Sequence, residues 1–316
     1  MLAVVCPGQG SQTPGMLEPW LALPGVKEQL ETFSDAANLD LIAHGTTSDA
    51  ETIRDTAVAQ PLIVAASLIS LRALFPTADD VQAHVAVAAG HSVGEFAASA
   101  VAGVLTDASA VGLVSHRARF MAEAAAATPT GMSAVVGGVA EEVFEAITAA
   151  GLHPANVNSS GQVVAAGDLD SLARLAANAP ARARVMPLKV AGAFHTPFMQ
   201  SAHDQFAPIA AQWPAADPII SLLSNKNGEA FTAGANNHGV GKDVLDTLTH
   251  QIVNPVRWDL CQETLTGLGI TGLLELSPGG VLSGLAKRSM PGVEYLPIKS
   301  VDDLDAARAF ISQHTK

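Results

Sequence analysis

Two patterns of hydrophobic and polar positions follow one another along the chain. Unbroken apolar runs of strand length occupy residues 2–6 and 85–89, which is typical of strands buried on both faces of a sheet. Residues 26–37 and 61–75 instead repeat apolar side chains at helical spacing. A further helix is predicted from Gly94 to about residue 102, and another to about residue 127 with Thr106 as its N-cap. This succession favours helices packed on a buried parallel sheet.

The segment 129–190 has a different rhythm. Its pattern predicts strands at 132–136, 155–158, 162–166 and 185–190 and helices at 141–150 and 169–177. The resulting order β-α-β-β-α-β is the ferredoxin-like signature. We therefore interpret residues 129–190 as a small subdomain that is inserted into a larger domain.

The first pattern returns after residue 190. Helices are predicted at 197–211, 244–252, 281–288 and 302–314, and strands at 219–224, 273–276 and 293–296. Residues 1–128 and 191–316 would together form the larger domain. The predicted class is α/β.

Composition and charge exclude several functions. Hydrophobic residues make up 48% of the chain and charged residues 15%, and the net charge is -13. An acidic surface repels phosphates, so we expect no nucleic acid as a partner. No apolar run approaches the ~18 residues of a membrane span, and no signal peptide is recognisable. Two cysteines, without metal-ligand spacing, predict neither a disulfide framework nor a metal site. These features predict a cytoplasmic protein without membrane contact.

The most informative motif is Gly90-His91-Ser92-Val93-Gly94, which fits G-x-S-x-G. It lies between a predicted buried strand and a predicted helix, the context of a nucleophile elbow in an α/β-hydrolase-like domain. There the helix N-terminus favours a developing oxyanion. The alternative is an ordinary helix start, because Ser92 and Glu95 also fit a capping box.

A serine nucleophile needs a base, and the chain has ten histidines. His195 stands out because it lies at a strand-to-helix junction, before the predicted N-cap Thr196 and Pro197. Catalytic groups of α/β folds gather at such strand ends. His91 adjoins the serine, but its side chain is expected to point away from that of Ser92.

Arg117 is the third candidate. It shares an otherwise apolar helical face with Leu113, Val114 and Met121. A buried guanidinium needs either an acidic partner or an anionic ligand, and its planar fork suits a carboxylate. Arg119 points elsewhere and is expected to be a solvated partner of Glu123.

Taken together, these motifs resemble the malonyl-CoA:acyl carrier protein transacylase family of fatty-acid and polyketide synthesis. The resemblance covers essentially the whole chain in order and separation. The matching elements are PGQGSQ at 7–12, GHSVGE at 90–95, Arg117, NVNS at 156–159, AFHTPFM at 193–199, and Gln251 followed by NPV at 254–256. Val93 departs from the family, which usually has leucine there.

The resemblance implies a role for each matching position. Ser92 would be the nucleophile and His195 the general base, with its imidazole held by a backbone carbonyl. The backbone N–H groups of Gln9 and Val93 would form the oxyanion hole. The implied substrate-binding residues are Arg117, which would clamp the malonyl carboxylate, together with Gln251, His91, Phe194, Met121 and Asn158. Phe194 would crowd an α-methyl group, a discrimination typically worth ~1–3 kcal/mol.

The resemblance further implies malonyl-CoA as donor, an acyl carrier protein as acceptor, and no cofactor or metal. Two other functions fit parts of the sequence. A serine hydrolase, either an esterase or a thioesterase, would share the elbow but would carry serine, acid and histidine in that chain order. A non-catalytic scaffold that binds acyl chains or a carrier would need no reactive serine.

Overall fold

The computed structural model describes residues 1–232 and 239–315, and it contains two β-sheets that are covered by helices. The strands are β1 Leu2–Cys6, β2 Val85–Gly90, β3 Thr130–Gly137, β4 His153–Ser159, β5 Gln162–Asp168, β6 Ala183–Pro187, β7 Ser221–Leu223, β8 Ala230–Phe231, β9 Val256–Arg257, β10 Gly272–Glu275 and β11 Glu294–Pro297.

The α-helices cover both sheets. They are α1 Val26–Ala37, α2 Leu41–Thr46, α3 Thr56–Leu74, α4 Ala78–His84, α5 Gly94–Val101, α6 Asp107–Ala127, α7 Ala140–Ala149, α8 Leu169–Ala177, α9 Gln200–Gln212, α10 Val240–His250, α11 Trp258–Gly267, α12 Val281–Ser289 and α13 Leu304–His314. A 3₁₀ turn at Pro197–Met199 precedes α9.

The six-stranded sheet has the order β11-β10-β1-β2-β7-β8. Its first five strands pair in parallel, and β8 is antiparallel to β7. Every residue of β1 is fully buried, as its unbroken apolar run predicts for a central strand. Because parallel strands end at the same edge, the loops after β1, β2 and β7 meet there.

The five-stranded sheet has the order β6-β3-β5-β4-β9. Its first four strands pair antiparallel and come from the segment 130–187, in the predicted chain order with α7 and α8. The fifth strand, β9, comes from outside this segment and pairs in parallel with β4. The molecule therefore has a mixed α/β fold with two sheets.

Several predicted boundaries are wrong. Helix α3 begins five residues before Pro61, because the side chain of Asp55 accepts a hydrogen bond from Ala57 N and caps the helix there. Strand β6 ends at Pro187, and Val190 packs against the larger core instead of continuing the strand. The pattern also missed α2, α4, α11, β8 and β9, all short or weakly periodic.

Helix α3 is long and apolar enough to cross a membrane by length and composition alone. However, 72% of its most apolar window is buried inside the structure. A core helix passes the same test, and α3 packs against α6 and α5. The apolar surface of α3 is therefore accounted for by packing.

Candidate active site

The loop between β2 and α5 forms a tight elbow with Ser92 at its tip. Ser92 has φ +54°, a left-handed conformation that non-glycine residues rarely adopt. A Cβ at Gly90 would lie 2.1 Å from the carbonyl carbon of Gly94, and one at Gly94 would lie 2.2 Å from the carbonyl oxygen of Cys6. Both glycines are therefore required by close backbone approach, as the motif predicts.

The alternative of a capping box at this position is wrong. Helix α5 begins at Gly94 with Val93 as N-cap, and no side chain among the described residues caps it. The carboxylate of Glu95 instead accepts hydrogen bonds from Asn225 N and from the side-chain amide of Gln251. Ser92 is therefore free of a capping role and available for chemistry.

His195 lies directly against the serine. Its Nε2 is 2.7 Å from Ser92 Oγ, although 103 positions separate the two residues in the sequence. Its Nδ1 donates to the backbone carbonyl of Gln251 at 2.8 Å. The carbonyl thus occupies the place of the acid in a Ser-His-Asp triad, holds the ring and fixes the tautomer that presents Nε2 as an acceptor.

The electrostatic surroundings keep the His195 ring neutral. Burial lowers the pKa of His195 to about 3, and the positive charge of Arg117 adds to this effect. His195 has φ +61°, so His195 and Ser92 both have left-handed backbone. The imidazole is therefore ready to accept a proton at neutral pH.

Arg117 is fully buried on α6. Its Nη1 donates to Gln60 Oε1 at 2.6 Å, and its Nη2 donates to Gln251 Oε1 at 2.8 Å and to Ser92 Oγ at 3.4 Å. Burial lowers the pKa of Arg117, and the negative charge of Glu95 opposes this. The predicted apolar helical face thus places its arginine beside Ser92, where the neutral side-chain amides of Gln60 and Gln251 hold it.

Arg119 is exposed, as predicted, but its guanidinium lies over the ring of Phe120 at 4.7 Å. In the described part of the chain, no ion pair joins it to Glu123. The expected i,i+4 pair is therefore wrong, and the stacking on Phe120 replaces it.

Sequence reasoning missed three residues of the site: Gln60, Glu95 and Asn225. Each is at least 96% buried and bonds to a predicted site residue. Burial raises the pKa of Glu95 to about 8, opposed by the hydrogen bond from Asn225 N and the charge of Arg117. A polar residue inside an apolar run, such as Gln60 in α3, was the one available signal.

The elbow opens into a cleft of about 320 Å³ between the two sheets. Five of the other predicted residues line it with Ser92 and His195, namely Gln9, His91, Met121, Asn158 and Phe194. Val93, Arg117 and Gln251 lie behind this lining, all buried. The predicted site residues therefore gather around one cavity.

Two contacts order the wall of this cleft. His91 Nε2 lies 2.8 Å from Asn158 Oδ1, which ties the elbow to β4 of the second sheet. The side chain of Gln262 in turn donates to the backbone carbonyl of Asn158 at 2.7 Å. His91 thus points away from Ser92 Oγ, as expected, and braces the elbow against the opposite sheet.

The backbone N–H groups of Gln9 and Val93 have no protein acceptor in the part of the chain that the structure describes. Gln9 follows β1 and Val93 follows Ser92, so both lie at the edge where the parallel strands end. Unpaired N–H groups beside the Ser92 hydroxyl suit a developing oxyanion. The arrangement as a whole is therefore capable of acyl transfer to Ser92.

Within residues 1–232 and 239–315, no three histidine, cysteine, aspartate or glutamate side chains lie close enough together to hold a metal ion. Cys6 and Cys261 are both buried and free, and burial raises the pKa of each thiol. Neither thiol is therefore a reactive group at neutral pH.

Known proteins resemble this chain over nearly its whole length. The sequence model of a protein family described as the acyl transferase domain matches residues 3–237 of this chain. A Mycobacterium bovis protein named malonyl CoA-acyl carrier protein transacylase is 50% identical over 305 residues, which cover 96% of this chain and 98% of that protein. An Escherichia coli protein of the same name is 35% identical, covering 90% and 92%.

Solved structures show the same likeness. The crystal structure of MCAT from Mycobacterium tuberculosis is 50% identical and superposes with a TM-score of 0.91, covering 98% of this chain and 99% of that one. A malonyl-transacylase solved in complex with its type II PKS acyl-carrier protein is 30% identical with a TM-score of 0.88, covering 98% and 99%.

Proposed function

The chain belongs to the malonyl CoA-acyl carrier protein transacylase family, and we propose that Ser92 carries the malonyl group on its way from coenzyme A to the acyl carrier protein. Membership makes the protein an acyltransferase with malonyl-CoA as donor and acyl carrier protein as acceptor, in fatty-acid and/or polyketide synthesis. One observation carries the assignment to Ser92: its Oγ lies 2.7 Å from His195 Nε2 and 3.4 Å from Arg117 Nη2. Nucleophile, base and carboxylate-binding group meet at one point.

In the first half-reaction, Ser92 Oγ attacks the thioester carbonyl of malonyl-CoA while His195 Nε2 takes the hydroxyl proton. The backbone N–H groups of Gln9 and Val93 stabilise the oxyanion. When the C–S bond breaks, His195 returns the proton to the sulfur, and coenzyme A leaves as a thiol. Ser92 then holds the malonyl group as an ester.

The second half-reaction reverses these steps with a new thiol. The phosphopantetheine thiol of the carrier protein gives its proton to His195 and attacks the acyl-serine carbonyl. The C–O bond breaks, and His195 returns the proton to Ser92 Oγ. The product is malonyl carrier protein, and the enzyme is restored.

Arg117 orients the malonyl group in both steps. Its Nε–H is buried and has no acceptor among the described residues, so the guanidinium retains donor capacity beyond its bonds to Gln60 and Gln251. A planar fork binds a carboxylate at two points. Gln251 assists because it positions Arg117 with its side chain and His195 with its backbone carbonyl.

A serine hydrolase is the less favoured alternative. Such an enzyme normally orients its histidine with an acid, whereas His195 Nδ1 here donates to a backbone carbonyl. A hydrolase of neutral esters also has no use for a buried arginine beside its nucleophile. The first feature favours acyl transfer over hydrolysis, and the second favours an acyl group that carries a carboxylate.

We further propose the finer fold description and location. The order β6-β3-β5-β4 with antiparallel pairing supports a ferredoxin-like small subdomain at 129–190. The parallel sheet and its elbow support an α/β-hydrolase-like domain at 1–128 and 191–316. We propose the cytoplasm as the location, since malonyl-CoA and acyl carrier protein are substrates of soluble biosynthetic enzymes.

The proposed function is tested by mixing the protein with malonyl-CoA and a holo acyl carrier protein. We expect the carrier to gain the mass of one malonyl group, while an apo carrier, which lacks the phosphopantetheine thiol, gains none. Release of free malonate at the rate of malonyl-CoA consumption, with the holo carrier unmodified, would instead indicate a hydrolase.

The low pKa of His195 predicts an unusual pH profile. Because the pKa of the buried imidazole is lowered to about 3, the base stays neutral as pH falls from 7 to 5, a range below the pKa of Glu95, which is about 8. We expect kcat/KM for serine malonylation, which reports the free enzyme, to change less than about threefold over this range. A half-loss near pH 6.5 would show that the pKa of His195 is not lowered in the free enzyme; circular dichroism at each pH controls for unfolding.

An acyl carrier protein is usually acidic, and this chain is acidic too, so the carrier would dock on a local basic area. Arg182, Arg184 and Lys189 form a first exposed cluster at β6 and its ends, and Lys287 and Arg288 are exposed on α12. Arg288 also lines the cleft, so Lys287 alone is replaced on that helix. We expect replacement of the first cluster, or of Lys287, by Glu to raise the KM for the carrier protein about tenfold, or ~1.4 kcal/mol. The half-reaction with malonyl-CoA should be unchanged. If steady-state kinetics show an unaltered carrier KM for both variants, neither site docks the carrier.

A further inference from the structure

Asn225 holds the elbow from behind at two points. It follows β7 and is 1% exposed. Its Oδ1 accepts from the backbone N–H of Ser92 at 2.8 Å, and its Nδ2 donates to the backbone carbonyl of Gly90 at 2.7 Å. One amide therefore bonds to the chain on both sides of His91.

The elbow needs such a support. A non-glycine residue at positive φ costs about 1–3 kcal/mol and persists only where its surroundings enforce it. Ser92, at φ +54°, is that residue. Ser92 precedes Val93, the N-cap of α5, so the helix supplies no acceptor for its N–H, and Asn225 Oδ1 takes that place.

The same asparagine is linked to the base. Its Oδ1 also accepts from Gln251 Nε2 at 3.3 Å, and its backbone N–H donates to Glu95 Oε1 at 2.7 Å. Gln251 is the residue whose backbone carbonyl orients His195. Asn225 thus connects the nucleophile's backbone to the segment that orients the base.

We propose that Asn225 is a positioning residue that sets the distance between Ser92 Oγ and His195 Nε2. The inference rests on the proposed role of Ser92 as nucleophile. Asn225 is not among the residues that line the cleft, so it acts through the elbow and not on the substrate. A displaced nucleophile lowers the rate of acylation without weakening substrate binding.

The test compares Asn225→Ala with the wild-type protein in three measurements: thermal melting, kcat and KM for malonyl-CoA, and the rate of Ser92 labelling by a fluorophosphonate. We expect kcat and labelling to fall together by about 100-fold and KM to stay within about twofold. Asn178→Ala is the matched control, since Asn178 is exposed at the end of α8, and it should behave as wild type.

A second variant covers failure of Asn225→Ala to fold. Asn225→Asp keeps both bonds when protonated, because its carbonyl accepts from Ser92 N–H and its hydroxyl donates to Gly90. Glu95 and Cys261 are hydrogen-bonded to residue 225 directly. Arg117 and His195 are each hydrogen-bonded to Gln251, which bonds to residue 225 in turn. Burial and the neighbouring carboxyl raise the pKa of the new aspartate.

We expect the ratio of labelling rates, Asn225→Asp to wild type, to fall by at least about tenfold between pH 6 and 8.5 as the new carboxyl ionises. A ratio that does not change with pH overturns the proposal, as does an Asn225→Ala protein that folds and is labelled within about threefold of the wild-type rate. If the fluorophosphonate does not label Ser92 in the wild-type protein, the proposed function fails instead.

Discussion

Replacement of Ser92 by alanine is expected to remove the malonyl adduct. The wild-type protein, incubated with malonyl-CoA alone, should gain the mass of one malonyl group, and Ser92→Ala should gain none. The transfer activity of Ser92→Ala should fall by at least about 10⁴-fold relative to the wild type, because His195 then has no nucleophile to activate. Intact-protein mass spectrometry measures the adduct, and a coupled assay measures transfer.

Ser160→Ala is the matched control for this change. Ser160 is exposed in the turn between β4 and β5, so this variant should retain both the adduct and the activity. A malonyl adduct of normal yield on Ser92→Ala would show that another group is acylated, and the proposed mechanism would then be wrong.

The second large effect is expected at Arg117. If Arg117 clamps the malonyl carboxylate as proposed, replacement by alanine removes two charge-assisted hydrogen bonds, each worth about 1.5–3 kcal/mol. We therefore expect kcat/KM for malonyl-CoA to fall by about 10³-fold, whereas acetyl-CoA, which lacks the carboxylate, should lose less than about tenfold. The measurement is the ratio of the two kcat/KM values.

Arg119→Ala provides a matched control, because Arg119 lies two positions away on the same helix but is exposed. Its selectivity should equal that of the wild type. Arg117→Lys keeps the charge without the planar fork, and it should fall between wild type and alanine. An equal loss toward malonyl-CoA and acetyl-CoA in Arg117→Ala would contradict the carboxylate clamp.

The Arg117→Ala protein also needs a stability control. The substitution leaves the buried side-chain oxygens of Gln60 and Gln251 without their donor, at a cost of about 1–3 kcal/mol each. Melting curves therefore accompany the kinetics, and rates are compared per folded molecule. Release of malonate by this variant would indicate that the clamp also protects the acyl-serine from water.

Local patterns predicted the parts of the fold that local forces build. The apolar run before Gly90 and the helix after Ser92 were both recognised, since burial of a central parallel strand leaves a continuous hydrophobic signature. Helix α1 was predicted at its observed bounds. In contrast, β9 has two residues and joins the small sheet from far along the chain, so no periodicity marks it.

The residues of the candidate site also fall into two groups: those that the local sequence marks and those that it does not. Ser92, His195 and Arg117 were recognisable because each stands out from its own surroundings: a serine between glycines, a histidine at a strand end, an arginine on an apolar face. Asn225 does not stand out from its neighbours in the sequence. Glu95 could be interpreted as a residue of a capping box, which concealed its place in the site. The observed bonds of Asn225 to Ser92 and Gly90 span 133 and 135 positions.

The sequence by itself determined which chemistry was available, because a nucleophile elbow, a base and a carboxylate-binding arginine are properties of residue types in local contexts. Only the tertiary structure decided which buried groups satisfy one another. Strand order brings the loops after β1, β2 and β7 to one edge. There Gln60 and Gln251 accept hydrogen bonds from the buried Arg117, and Asn225 accepts one from the strained Ser92. Glu95 in turn accepts hydrogen bonds from Asn225 and Gln251. Such pairings depend on the closure of long loops, which no local pattern encodes.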